Sequence, residues 1–172
     1  MIMFNPAFDL YHSIYRMANI ANRLEEGEFF EVERVRIWDY YLIFPDKVHK
    51  IKIKRDEKEM RELCNKLSKY NNPYERSGDN RKQFAQIRPI QISALNCLVS
   101  CGILSKADYE MGRVAVGDRK ALDEFIAKVG KLPTRENNSL SYLLLFSRNM
   151  PLTGIDGLKD RTRLLESKYD AD

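Results

Sequence analysis

Asp9, His12 and Ser13 offer an acid, a base and a hydroxyl within a short stretch, the residue types of acyl-transfer chemistry. That chemistry needs a fold that sets the three groups around an oxyanion hole, and neighbouring polar residues on one helix do not supply it. The preferred reading of this trio is a solvated helix face. Cys97 and Cys101 lie four apart on an expected helix and would share a side. A zinc centre takes four ligands, and neither His12 nor His49 has ligand spacing to these thiols. Small buried hydrophobes is the preferred reading. Asp39 is the least usual acid, because it stands inside an apolar run and needs a partner once buried. Arg36, three residues earlier, is within helical reach, so a structural ion pair is preferred to a catalytic acid. Asp9, Asp39 and Asp46 are too dispersed to read as the clustered carboxylates of a metal-dependent nuclease.

No glycine loop followed by lysine and Ser/Thr is present to cradle a nucleotide phosphate. Gly-x-Ser-x-Gly, His-Glu-x-x-His and Cys-x-x-Cys patterns are also missing. The residues assign no catalytic group, metal ligand or cofactor, and the chain is expected not to be an enzyme. Its 29 basic and 25 acidic residues leave a net charge of +4, too mild an excess to decide for or against nucleic acid. Three cysteines, an odd number, do not suit a secreted disulfide framework. No run of eighteen apolar residues and no signal-peptide layout occur, so a cytoplasmic protein is expected.

The elements that must position these groups are mostly helical. Val32 to Pro45 holds the single tryptophan and the densest aromatic cluster. On a helix Val35, Trp38 and Leu42 share one face and Ile37, Tyr41 and Phe44 the next, which requires packing from several sides. Its β-branched and aromatic content would also suit a strand, but helix is preferred. Before it, a helix is expected over Pro6 to Glu25, capped by Asn5. After it, Val48 to Lys54 alternates as a strand, with Val48, Lys50, Lys52 and Lys54 on one side. It reads either as a β-wing whose lysines meet phosphate or as an edge strand protected by lysine. Asp56 should cap a helix to about Tyr70, with Glu59 as its capping-box partner.

The Pro/Gly/Asn-rich stretch Asn71 to Asn80 is the expected boundary between two lobes. A helix from Pro89 to Cys101 follows, closed by Gly102, and then a short strand around Arg113 to Val116. Asp118 should open a helix to Val129, and Thr134 should cap another that ends before Pro151. With 172 residues and only eight glycines and six prolines, a barrel of many tight turns is disfavoured. The expected fold is mainly α with short β-wings, two-lobed and tandem winged-helix-like. Residues 1–75 would form an N-terminal helical, winged-helix-like lobe, and residues 76–172 a C-terminal winged-helix-like lobe with a docking tail.

Three stretches carry a family resemblance. They are Asn5-Pro6-Ala7-Phe8-Asp9 with Tyr11-His12, Arg36-Ile37-Trp38-Asp39-Tyr40-Tyr41-Leu42-Ile43-Phe44-Pro45, and Asp156-Gly157-Leu158-Lys159-Asp160-Arg161-Thr162. Together with Arg88-Pro89-Ile90-Gln91 they resemble the small middle component of ABC-three-component systems. That family includes the accessory subunit of Lamassu-type bacterial anti-phage and anti-plasmid defence. The resemblance implies an SMC/Rad50-like coiled-coil ATPase and an effector, often a nuclease, as partners, with this subunit joining them. It supplies no catalytic residue, and it agrees with the missing P-loop.

Under that reading the protein interface is the tail: Lys159, Arg161, Arg163 and Tyr169, backed by Leu164 and Leu165. Arginine and tyrosine anchors commonly dominate interfaces. The opposing possibility is a last helix folded back on its own lobe. The rival function is a winged-helix DNA-binding regulator contacting phosphate through Lys47, Lys50, Lys52, Lys54 and Arg55.

Overall fold

The computed structural model describes residues 6–69 and 78–165. The expected lobe boundary at residues 75 and 76, and Asn5 as a cap, lie outside the described residues. In chain order the elements are α1 (Leu10–Ala21), β1 (Phe29–Glu31), α2 (Val32–Ile43), α3 (Lys58–Lys66), α4 (Asn80–Ser100), α5 (Lys106–Glu110), β2 (Arg113–Ala115), α6 (Arg119–Val129), α7 (Thr134–Ser147) and α8 (Leu158–Thr162). The fold is mainly α, with β1 and β2 as a two-stranded antiparallel sheet. No helix among the described residues is long and apolar enough to cross a membrane.

The chain divides into two compact units, each assembled from two separate stretches. Unit 1 contains the described residues up to Asp39 together with Gln86–Leu132. Unit 2 contains the described part of Tyr40–Ala85 and of the chain from Pro133 onwards. The division therefore falls inside α2 and inside α4.

In unit 1, the β1–β2 register sets Phe30 opposite Val114, and both side chains are buried. Trp38 is fully buried and meets Phe30 edge to face, with ring centroids 4.8 Å apart. Such pairs add to the area that the rings bury. Met17, Ala18, Ile20 and Ala21 of α1 complete this core with Leu95 and Leu98 of α4 and Leu122 of α6. α1 starts later than the sequence indicates. Pro6–Phe8 is a 3-10 turn, and Asp9 is the N-cap, accepting from the His12 N–H at 2.8 Å. A carboxylate that satisfies an orphan first-turn N–H fixes the start more strongly than proline at the first position.

Helix α4 likewise departs from expectation, since Pro89 lies inside it rather than at its start. Proline removes one ladder bond and costs about 3 kcal/mol in a helix interior. Burial of Ile87 before it and of Gln91, Ala94, Leu95 and Leu98 after it offsets that cost. Gly102 ends the helix as expected, at φ +74°, with its N–H on the Val99 carbonyl and that of Ile103 on Leu98.

Unit 2 packs Tyr40, Phe44 and Phe84 rings against one another, with centroids 5.0 and 5.7 Å from that of Tyr40. Leu140, Leu143 and Leu144 of α7 are buried with Val48, Ile51 and Cys64. The strand expected over Val48 to Lys54 does not form. Pro45–Lys50 is a 3-10 helix and the chain after it is irregular. Val48 and Ile51 are both buried, and three apart they would point to opposite faces of a strand but share a side of a 3-10 turn. α3 begins at Lys58 with Glu57 at the cap position, so neither Asp56 nor Glu59 plays its expected capping part. Thr134 is the first residue of α7, with Pro133 before it at the cap.

Asp39 is completely buried in unit 1, and its partner is Arg16 rather than Arg36. The Arg16 Nε donates to Oδ1 at 2.6 Å, and the Gln91 amide donates to Oδ2 at 2.9 Å. Arg36 instead reaches Glu33 at 2.7 Å and donates to Gln91 Oε1 at 2.9 Å. Removing one member of a buried pair strands the other charge. Asp39→Ala is therefore expected to destabilise the protein by about 3–5 kcal/mol in a denaturant titration.

Candidate functional site

The segment Asp156 to Arg163 builds the most distinctive surface of unit 2. Asp156 adopts a left-handed backbone at φ 62°, and its carboxylate pairs with the Lys54 ammonium at 2.8 Å and the Lys52 ammonium at 3.3 Å. The Lys54 hydrogen bond, reinforced by Lys52, holds the Asp156 carboxyl below its ordinary range. Gly157 follows where a Cβ would run into the Thr153 carbonyl, so only glycine fits this turn. Leu158 is then fully buried and anchors α8.

Arg161 is the hub of the segment and is 4% exposed. Its guanidinium donates to both Glu57 oxygens, at 2.7 and 3.0 Å, to the Lys52 carbonyl at 3.2 Å and to the Asp156 carbonyl at 3.0 Å. The Lys52 N–H returns a hydrogen bond to the Arg161 carbonyl at 3.0 Å. The bidentate contact with Arg161 pulls the Glu57 carboxyl down, and Glu57 in turn raises the guanidinium. Fork-to-fork geometry of this kind is among the stronger charged hydrogen bonds.

Five of the six tail residues read as an interface fall among the described residues, and they separate by burial. Arg161 and Leu164 are buried within unit 2, whereas Lys159, Arg163 and Leu165 line an open cleft of about 560 Å³. Tyr169 lies outside the described residues. For Arg161 and Leu164 the last helix does fold back on its own unit, because they satisfy Glu57 and the unit's own core.

The basic set separates too. Lys47 is buried, with its ammonium on Gln83 Oε1 and 4.8 Å from the Phe44 ring centre. Lys52 and Lys54 are engaged by Asp156, and Lys50 and Arg55 are exposed. Lys50 lines the same cleft as Lys159 and Arg163. The structure thus brings together one member of the expected DNA-contact set and three of the expected interface set. Arg81, Asp79 and Asp160 also line the cleft, and of these Arg81 and Asp79 had no signal beyond lying next to a loop.

Other candidate chemistry resolves into structure. The hydrogen bond from the His12 N–H, with the His12 ring beside it, keeps the Asp9 carboxyl low, while Ser13 is buried rather than solvated. Cys97 is half-buried and Cys101 exposed, so the pair is not the buried hydrophobic couple expected. Cys101 belongs to the exposed turn that follows α4, which explains the difference. Cys64 is buried, with its Sγ 3.5 Å from His49 Nδ1, and burial pushes its thiol up, which disfavours a thiolate nucleophile. Among the described residues no three His, Cys, Asp or Glu side chains gather to hold a metal ion.

The family model for the ABC-three component (ABC-3C) system Middle Component 5 matches residues 2–170, essentially the whole length. The chain belongs to that family. No curated protein and no solved structure matches it. Membership makes this Middle Component 5 protein an accessory component of a multi-component defence system. Its Asp156 to Thr162 stretch, one carrier of the resemblance, is the segment stapled by Arg161.

Glu57 contributes stability that is complete above its ordinary value of 4.5 and is lost as pH falls through its lowered value in the folded protein. Glu57→Gln should reduce the melting temperature at neutral pH and flatten the acid limb of a melting-temperature profile. Arg163 occupies a left-handed backbone, φ 55°, at the end of α8, where glycine is the least strained residue. Arg163→Gly should therefore stabilise the protein by up to about 1 kcal/mol in chemical denaturation.

Proposed function

We propose that this Middle Component 5 protein is the non-catalytic accessory subunit of a Lamassu-type bacterial anti-phage and anti-plasmid complex. In this reading it works in the cytoplasm and bridges an SMC/Rad50-like coiled-coil ATPase and a nuclease-type effector. The observation that carries the reading is the construction of the Asp156 to Arg163 segment. Arg161, Leu158 and Leu164 fasten it inward, while Lys159 and Arg163 line an open cleft with Lys50 and Leu165. A surface whose backbone is fastened from beneath suits docking, because little main-chain freedom remains to be lost on association. The family match supports the accessory part of the reading.

The rival, a winged-helix DNA-binding regulator, depends on Lys47, Lys50, Lys52, Lys54 and Arg55. Lys47 is buried and Lys52 and Lys54 are held by Asp156, so three of the five are already committed within the protein. Docking is therefore the better-supported role. The test is affinity purification of the tagged full-length chain from cells expressing the proteins encoded beside it, together with ATP turnover and DNA cleavage assays on the chain alone. Recovery of a coiled-coil ATPase and an effector, with no turnover or cleavage by the single chain, is expected. Hydrolysis or cutting by the purified subunit, or recovery of neither partner, would overturn the proposal.

A further inference from the structure

Three polar side chains converge in unit 2 away from the cleft beside α8. His49 comes from the 3-10 helix Pro45–Lys50, Cys64 from α3 and Tyr142 from α7. The Cys64 Sγ lies 3.5 Å from His49 Nδ1. Tyr142 is 4% exposed, and its hydroxyl has no hydrogen-bond partner at good geometry. The hydroxyl stands beside the Cys64 thiol, which adds to the effect of burial in pushing its ionisation above the ordinary value. Stacking on Phe146, with the two rings 11° from parallel, fixes the direction of the tyrosine ring. A hydroxyl buried without a partner is costly, so its position calls for a reason.

The separation of His49 and Cys64 is that of two ligands on one tetrahedral ion. Zinc takes sulfur at about 2.3 Å and imidazole nitrogen at about 2.0–2.1 Å, and a tetrahedral angle between those bonds sets the two atoms about 3.5–3.6 Å apart. An ion holding the same pair in line would need about 4.3 Å. Sulfur disfavours magnesium and calcium, which take oxygen ligands. A thiol–imidazole hydrogen bond suits the same distance, but it leaves the Tyr142 hydroxyl orphaned, whereas an ion gives that oxygen a partner. We infer that Cys64 Sγ, His49 Nδ1 and the Tyr142 hydroxyl oxygen hold a zinc ion, with water as its fourth ligand. Binding releases the thiol proton to solvent. A coordinated thiol is deprotonated outright, so the upward push of burial on Cys64, which Tyr142 and Lys69 partly offset, does not exclude the site. His49 is half-buried and lines a surface depression with Cys64, which gives an ion its way in. Arg61 and Lys69 line the depression too, but both are exposed, where solvent and salt screen their repulsion. The ion ties together three elements of unit 2 that are distant in sequence, and the inference does not rest on the docking role.

The test uses the reduced, chelator-treated full-length chain, titrated with Co²⁺ alone as a coloured stand-in for zinc and then with Zn²⁺. Cys97→Ser with Cys101→Ser removes the other two thiols. Cys64→Ser, His49→Gln and Tyr142→Phe are each added to that background and checked for folding by circular dichroism. Expected is a sulfur-to-cobalt charge-transfer band that saturates at one ion per chain, survives the loss of Cys97 and Cys101, and disappears when Zn²⁺ displaces the cobalt. Cys64→Ser should abolish the band, while His49→Gln and Tyr142→Phe, the latter sparing the ring packing, should each weaken affinity about tenfold or more. Zn²⁺ should raise the melting temperature of the background chain and not that of its Cys64→Ser derivative. A chain that gives no band in excess Co²⁺, or a band that vanishes with Cys97 and Cys101, would overturn the site. Unchanged affinity in Tyr142→Phe would overturn it equally, by leaving two ligands and an ordinary thiol–imidazole hydrogen bond. Each of these results leaves the docking role as it stands.

Discussion

A carboxylate sealed from water must find its donors inside the protein, and in unit 1 that requirement falls on Asp39. Arg16 from α1 and Gln91 from α4 meet it on α2, so one acid ties three helices at a defined register. Gln91 is committed twice more, donating to the Arg36 carbonyl at 3.1 Å and accepting from the Arg36 side chain. An apolar trio in these places would hold the helices as firmly, or more so, since desolvating a buried pair costs much of what it returns. What the network adds is discrimination. A helix slid or rotated by one residue would leave a charge unpaired in the core, whereas Leu and Ile side chains would tolerate the shift.

Unit 2 solves the same problem at its edge. Arg161 satisfies Glu57 with two bonds and spends its remaining donors on the Lys52 and Asp156 carbonyls, so an irregular stretch without ladder hydrogen bonds is pinned by a side chain. Asp156 closes the arrangement by drawing in Lys52 and Lys54. The irregular chain after Ile51 keeps its place through these contacts and not through strand pairing.

Features set by local rules were legible in the sequence. Asp118 caps α6 with its carboxylate on the Ala121 N–H at 3.0 Å, Gly102 closes α4, β2 lies where Arg113 to Val116 was expected, and α2 spans the aromatic run. Each is decided within a few neighbouring residues. Features decided at a distance were not. The Arg16–Asp39 pair spans 23 positions and Arg161–Glu57 spans 104, and nothing in either neighbourhood marks the partner. Pro89 misled because proline punctuation is a local prior, here outweighed by burial on both sides of it. The Val48 to Lys54 alternation misled because charged residues at every second position fit both a strand and an irregular segment held by Asp156. Within the cleft, Lys159 and Arg163 were readable as surface cations. Arg161 was not distinguishable from them, since an amphipathic pattern does not say whether its inner face meets the same chain or another.

That ambiguity resolves through helical geometry. Successive residues turn by about 100° around a helix axis, so Arg161 and Lys159, two apart, stand on nearly opposite sides of α8. The inner arginine holds the helix to its unit, and the outer lysine joins the cleft. Arg163 is also two positions from Arg161, but its backbone has left the helix, and the left-handed residue turns the chain so that Leu164 re-enters the core immediately afterwards. The exposed arginine is thereby flanked by a buried, four-fold bonded arginine on one side and a buried leucine on the other. Such placement puts local strain at the position best supported against it.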